Sequence, residues 1–408
     1  MTRIRDLVIT PVAFRDPPLL NSTGLHEPLA LRCVLQLHVD DGVIGLGECP
    51  GDRGHLDRLV AVREHVIGQS VHALNRIEQA VEQALAGVAD PVARRATFSA
   101  IEVACLDAQA RLAGVPVSEL LGGAVRPAVP YAAYLFHKWA AHPGADTDEW
   151  GPATTPGELV EQAQRMIARY GFRSVKLKGG VFAPEREIDA IMALREALPG
   201  VPLRLDPNGA WTVETARRVA GELAGTLEYL EDPVLGVKEM AAVAAAAPMP
   251  LASNMCTTSL ETIPPAVELG AVQVVLSDHH YWGGLRLTQH LATVCATFGL
   301  GLSMHSNSHL GISLAAMTHV AAAIPTLTHA CDTHFPWNAG EDVVVPGALR
   351  FVDGAVPVPE GPGLGVELDH DALARLHEAY VRSGRQVRDD TGYLRRLQPG
   401  FDPSLPRW

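Results

Sequence analysis

The sequence of 408 residues has little of what marks several large protein classes. Its six cysteines (33, 49, 105, 256, 295 and 331) contain no CxxC pair and no ladder of close spacings. They read as free thiols in a reducing cytoplasm, not as a disulfide framework. Positive charge is short: 33 Lys and Arg against 46 Asp and Glu give a formal charge of −13. Such a surface repels nucleic acid and anionic membranes, so neither is an expected partner. An anionic substrate would have to be drawn in by a local basic pocket. No apolar run is long enough for a membrane span, and the Ala-rich stretch 241–252 is broken by Pro248 and Pro250. The opening MTRIRDLVITPVAF carries Asp6 and too short an apolar run for a signal peptide. A cytoplasmic location is the expectation. Near-identical repeats and low-complexity tracts are also missing.

What remains is an ordinary globular balance, 47% apolar and 19% charged. The length suits one barrel plus a smaller domain. Residues 4–13 read as a strand, and 30–39 and 43–48 as two more around the hairpin signal Asp41-Gly42. Helices follow at about 57–66 and 73–86, giving an α+β cap. Residues 92–113 read as a linking helix stopped by Gly114 and Pro116. From about 129, strands alternate with helices at 157–169, 184–198, 212–224, 238–247, 259–268, 284–298 and 310–323. That alternation implies a parallel sheet. The expected organisation is a cap over 1–128, a barrel over 129–344, and a Pro/Gly-rich segment, 345–408, returning to the cap.

The strand ends carry the chemistry. In order they bear Lys176 and Lys178, Asp206 and Asn208, Glu231, Asn254, Asp278, His305 with Asn307, and Asp332 with His334. Their spacing of roughly 25 residues is that of one βα unit, since about 250 residues make eight units. In a parallel barrel all such ends meet at one mouth. Asp206, Glu231 and Asn254 close three consecutive units and ligate through oxygen, which suits Mg²⁺ better than zinc. Taken singly, each reads more readily as a helix N-cap, and it is the three in adjacent units that favour the metal. Lys176 and Lys178 share a strand face. Their mutual repulsion is expected to lower one pKa and make a general base. Asp278 and His305 come from neighbouring units and pair as a carboxylate–imidazole dyad, although His279 and His280 in SDHHYW are rival partners. Asn208, Asn307, His334 and Arg388 are suited to hydroxyls and a carboxylate. For Arg388, a surface ion pair with Asp389 and Asp390 is the alternative. A divalent ion between two bases describes proton abstraction next to a carboxylate.

The strings GLGECPG, FRSVKLKGGV, LDPNGAW, LEDP, SNM, SMHSNSHLGISLAAMTHVAAA, DTHFPW, PGLGVELD and RDD run from the cap to the tail. Together they resemble the enolase superfamily, and within it the glucarate dehydratases. The resemblance implies a modified TIM barrel, (β/α)7β, whose N-terminal α+β cap is completed by the C-terminal tail. Enolase-type sites are a known case of a Lys or His base with Mg²⁺. The resemblance implies Asp206, Glu231 and Asn254 as Mg²⁺ ligands. It implies Lys178 as one base, tuned by Lys176, and His305 with Asp278 as the other. Asn208, Asn307, His334 and Arg388 become substrate contacts. His26 and Asn21 match a mobile loop that closes over the substrate, and Tyr134 and Phe136 match pocket residues. The implied reaction is dehydration of a dicarboxylate sugar acid, D-glucarate to 5-keto-4-deoxy-D-glucarate, with L-idarate as a possible epimer partner. The alternatives are another aldarate such as galactarate, or a catalytically silent relative. A homo-oligomer is expected by analogy. Three stretches depart from the family pattern: ALAGVADPVAR (84–94), the short VLGVKEM (234–240), and His137-Lys138-Trp139. All three are expected at the pocket rim.

Overall fold

A computed structural model describes residues 2–338 and 340–408. The chain opens with β1 (Ile4–Arg15), the short strands β2 (Leu20–Asn21) and β3 (Gly24–Leu25), and then β4 (Leu29–Val39) and β5 (Ile44–Pro50). Strands β1, β4 and β5 form an antiparallel sheet in that order. Gly42, at φ 76°, turns the chain between β4 and β5, the left-handed conformation that glycine adopts without strain. Helices α1 (Arg53–Val66), α2 (Leu74–Ala84), α3 (Pro91–Ala113) and α4 (Val117–Leu120) follow. Asp90 caps α3 by accepting the Val92 N–H, Pro91 fits its first turn, and Gly114 ends it at φ 70°. Helix α3 lies directly on β5. A Cβ at Gly47 would come 2.4 Å from the Ala100 carbonyl oxygen, so only glycine permits that approach.

The second part alternates strand and helix: β6 (Ala128–Pro130), β7 (Ala133–Phe136), α5 (Pro156–Tyr170), β8 (Val175–Lys178), α6 (Pro184–Ala197), β9 (Leu203–Asp206), α7 (Val213–Glu222), β10 (Leu227–Glu231), α8 (Val237–Ala244), β11 (Leu251–Ser253), α9 (Ile263–Glu268), β12 (Val274–Ser277), α10 (His279–Trp282), α11 (Leu285–Phe298), β13 (Gly301–Met304) and α12 (Gly311–Ala322). Strands β7 to β13 make one seven-stranded parallel sheet in chain order. Their side chains are almost wholly buried, as parallel strands covered on both faces should be.

The sequence predicts an eighth strand at LTHACD. The structure shows an irregular segment there, which nonetheless closes the ring. On one edge, Thr328 and Asp332 donate N–H to Leu302 and Met304 (3.1 and 2.8 Å). On the other, Cys331 and Ala132 bond with Pro130 and Cys331 (2.9 and 2.8 Å). Side chains take over part of the ladder: Thr328 Oγ1 accepts the Leu302 N–H, and Ser303 Oγ donates to the Ala330 carbonyl, both at 2.8 Å. The arrangement is the (β/α)7β barrel expected from the sequence.

The last segment carries β14 (Ala355–Pro357), α13 (His370–Ser383) and α14 (Asp390–Leu397). β14 pairs with β6. α13 packs on β1 of the cap, where His377 Nδ1 bonds the Pro11 carbonyl at 2.7 Å. α14 packs on β3. Among the described residues, no helix is long and apolar enough to cross a membrane.

Candidate active site

A cavity of about 350 Å³ lies where the barrel mouth meets the cap loop 20–32 and the tail at 388–390. Ten residues expected at the site line it: Lys178, Asn208, His305, Asn307, His334, Tyr134, Phe136, Asn21, His26 and Arg388. Asp206, Glu231, Asn254, Lys176 and Asp278 do not line it. They sit at the strand ends beneath or beside it.

The floor is built from neighbouring parallel strands, with Lys178 opposite Asp206 in the register of β8 and β9. Lys178 Nζ donates to Asp206 Oδ2 and to Asn208 Oδ1, both at 2.7 Å. Asn208 takes φ 55°, and its N–H donates to Asp206 Oδ1 at 3.0 Å. Lys176 is fully buried. Its ammonium lies 2.6 Å from Glu231 Oε2, 2.8 Å from Asp332 Oδ2 and 3.4 Å from Asp206 Oδ2, over the Tyr134 ring.

This overturns the expected pKa of the lysine pair. Burial and mutual repulsion do disfavour the two ammoniums. The surrounding carboxylates outweigh both effects, so Lys176 is held well above its usual value, chiefly by Asp332 and Glu231 against burial. Lys178 is also raised, by Asp206 against burial. A sequence shows the two like charges two residues apart and hides the three acids around them.

The acids fit a divalent cation by a feature of their own. Among the described residues, the fully buried Glu231 carboxylate accepts no hydrogen bond and is held only by its ion pair with Lys176 at 2.6 Å. The Lys176 ammonium beside it donates to Asp332 Oδ2 at 2.8 Å. Burial pushes this carboxyl well above its usual range, and Asp206 and Asp332 add to that while Lys176 opposes it. Asp206 is different: burial raises it, but Lys178 and Lys176 more than compensate and hold it low. Asn254, next in the ring, bonds through its backbone to Asp232 at 2.9 Å. An all-oxygen set with an undersolvated carboxylate is what a hard cation requires.

The far wall holds the dyad. Asp278 caps α10 by accepting the His280 N–H at 3.0 Å. Its Oδ1 also bonds His280 Nδ1 at 2.8 Å, and its Oδ2 lies 3.3 Å from His305 Nδ1. Asp278 thus serves both histidines that the sequence left in competition. The nearby imidazoles hold its carboxyl well below the usual range despite burial. Asp278, His279 and His280 bring three metal-capable atoms together. Both ring nitrogens of His280 are already hydrogen-bonded, however, and one of them faces Arg32.

The roof comes from the cap and the tail. His334, His26, Tyr134 and Phe136 form an aromatic cluster. Arg388 grips Asp390 with two bonds (2.8 and 2.9 Å) and Asp16 with one at 3.0 Å. Asn21 Nδ2 donates to Asp390 Oδ2 at 3.2 Å. The expected ion pair of Arg388 with Asp390 therefore exists, but inside the cavity wall and not at the surface. Asn208 Nδ2 reaches Ser22 Oγ at 3.2 Å and ties the cap loop to the barrel.

The sequence reading missed Thr23, Arg32, Asp52, Tyr281, Ser308 and Asp390, all of which line the cavity. Tyr281 and Ser308 adjoin recognised strand ends and could have been found there. Arg32 and Asp52 carry no local signal. The three departing stretches do not line the cavity. Lys138 is buried and donates to the Gly151 carbonyl at 2.6 Å and the Trp139 carbonyl at 2.9 Å, holding the following loop. Trp139 packs with Leu20, Leu25, Tyr393 and Leu394 behind the cap loop. Leu235, in the short segment, presses on Gly209.

Residues 5–122 match the mandelate racemase / muconate lactonizing enzyme N-terminal domain family, and residues 158–372 match the enolase C-terminal domain-like family. The chain belongs to the enolase superfamily. It is 51% identical over 432 residues to a probable glucarate dehydratase of Streptomyces coelicolor, covering 99% of this chain and all of that one. Two solved enolase structures superpose with TM-scores of 0.98. One, from Thermobispora bispora, is 57% identical, covers 100% of both chains, and is complexed with magnesium and formate. The other, from Mycobacterium smegmatis, is 59% identical, covers 100% of this chain and 99% of that one, and is complexed with tartrate. Within the superfamily this chain is dehydratase-like.

Proposed function

We propose that the enzyme is a Mg²⁺-dependent dehydratase of an aldarate, with D-glucarate as its substrate. The observation that carries this is the placement of Lys178 and His305 in one cavity, on strands separated by β9 to β12, above an undersolvated carboxylate set. The full-length similarity to a probable glucarate dehydratase supports the substrate class, as does tartrate, a hydroxylated dicarboxylate, in a similar structure.

Asp206, Glu231 and Asn254 would hold the cation. When bound, it supplies positive charge beside the substrate carboxylate, stabilises the charge that develops there, and offsets the acids that hold the Lys178 proton. Lys178 Nζ faces the cavity and removes the proton next to the carboxylate from one side. His305 stands on the other side. Its Nδ1 faces Asp278, which leaves Nε2 toward the cavity. From there His305 protonates the departing β-hydroxyl, so that one C–H and one C–O bond break and water leaves. The enol that remains tautomerises to the keto-deoxy product. With the opposite epimer, L-idarate, the same two groups exchange roles at the α-carbon. Asn208, Asn307, His26 and His334, which line the cavity, would hold hydroxyls. Arg388 and the cap loop close the distal end.

Proton NMR of the protein with Mg²⁺ in D₂O, run on D-glucarate, L-idarate and galactarate, tests this reading. Keto-deoxy product from glucarate is expected. Product from galactarate alone would replace the substrate. Neither product nor exchange with any of the three would overturn the reading.

A further inference from the structure

Arg32 lies on cap strand β4, yet it reaches the dyad of the barrel. Its Nη2 is 2.9 Å from His280 Nε2. A guanidinium has only donors. His280 Nε2 must therefore accept, and its single ring proton must sit on Nδ1, where it points at Asp278 Oδ1 at 2.8 Å. Ser313 Oγ converges on the same Nε2 at 2.8 Å. Arg32 is itself fixed, because its Nε donates to Glu48 Oε1 at 2.7 Å. Glu48 accepts the N–H groups of Leu310 and Ser313, both at 2.9 Å, around the start of α12. Arg32, Glu48, His280 and Asp278 are all buried.

We infer that Arg32 and His280 are positioning residues: the cap fixes the tautomer of His280, and that tautomer holds Asp278 so that its free oxygen orients His305. Two donors from His280, the ring N–H and the backbone N–H, anchor Asp278 Oδ1. Only Oδ2 is left for His305. Were the His280 proton on Nε2, it would oppose Arg32, and Nδ1 would oppose the carboxylate. The lysine side has no such dependence on the cap sheet: its partners Asp206, Asn208, Glu231 and Asp332 belong to the barrel. The base on one face is thus assembled only when the cap docks. The kinetic part of this inference rests on the function proposed above, and the tautomer part does not.

Two measurements test it. The first is ¹⁵N NMR of histidine-labelled protein, with His280 assigned by loss of its signal in His280→Phe. In the wild type, His280 is expected with Nδ1 protonated, and Arg32→Met should move or mix that state. Protonation at Nε2 in the wild type would overturn the inference even if no aldarate reacts.

The second compares His280→Phe with His280→Asn in D₂O, using D-glucarate and L-idarate. Phe keeps the ring shape and loses the donor to Asp278. Asn loses the shape and keeps an N–H donor near the Nδ1 position. Exchange at the His305 face should fall about 10²-fold in the Phe variant, within the range that general acid–base catalysis supplies. It should fall much less in the Asn variant, and exchange at the Lys178 face should persist in both. If Phe exceeds Asn at the His305 face, shape matters and the positioning role is wrong. Equal loss at both faces would likewise mark a general structural effect and overturn it.

Discussion

The two sides of the cavity hold their titratable groups by opposite means. On the lysine side, charge does the holding: Lys176 and Lys178 are ringed at 2.6 to 3.4 Å by Asp206 and Glu231 from strand ends of the barrel and by Asp332 from the irregular segment that closes it. On the histidine side, hydrogen-bond direction does it, through a chain from Glu48 and Arg32 in the cap to His280, Asp278 and His305. The difference teaches where each side is vulnerable. A charge cluster responds to whatever cation it holds. A directional chain responds to the loss of one donor, even when the shape is kept.

The largest effect should come from removing a base. Lys178→Ala and His305→Gln should each lower turnover of the preferred aldarate by about 10²- to 10⁴-fold, the usual range of a general acid or base. Steady-state kinetics check this, and an unchanged rate in either variant would remove that residue from the mechanism.

The next effect is the pH dependence of stability, set by buried imidazoles around the start and end of α12. Burial drives His309 down to about 4, beside Arg32 and Glu48, and His319 also down to about 4. A group with a depressed folded pKa is neutral in the fold, so its contribution is complete above its unfolded value of 6.5 and is lost as pH falls toward 4. A difference of that size corresponds to about 3 kcal/mol per group. Thermal melts between pH 7 and 4 should show this loss, and His319→Gln should flatten the curve. His319 Nδ1 accepts the Ser118 N–H at 3.3 Å and Nε2 bonds the Leu364 carbonyl at 3.1 Å. Protonation would oppose the first of these.

On the lysine side, Mg²⁺ should raise stability by about 2.7 kcal/mol at a hundredfold excess over Kd. Glu231→Gln should remove most of that gain, and because it also removes one partner of the buried Lys176 ammonium at 2.6 Å, the metal-free Tm should fall. An undiminished Mg²⁺ shift would take Glu231 out of the site. The smallest effect belongs to the roof. Asn21→Ala removes one 3.2 Å bond to Asp390 and should raise KM about fivefold, the equivalent of about 1 kcal/mol, with kcat nearly unchanged.

Most of the lysine side was legible in the sequence because one residue per βα unit is a local, periodic signal. Lys178, Asp206 and Glu231 fall on it directly. The sign of the lysine pKa shifts was not legible, because it depends on acids 28 to 156 residues away. The histidine side was half legible. Asp278 and His305 follow the same period, but Arg32 lies 248 residues from His280 and no local pattern connects them. The same holds for Arg388, whose partner Asp16 is 372 residues away. The eighth strand was misjudged in detail because Thr328 and Ser303 replace ladder bonds with side-chain bonds, which hydrophobic alternation does not report.

The central claim is that two opposed bases serve one α-carbon. It is tested most directly by α-proton exchange in D₂O with Mg²⁺, following D-glucarate and L-idarate in Lys178→Ala and His305→Gln side by side. The account predicts a crossed pattern, in which each variant loses exchange with one epimer and keeps it with the other. Loss of the same epimer in both variants, or of neither, would contradict it.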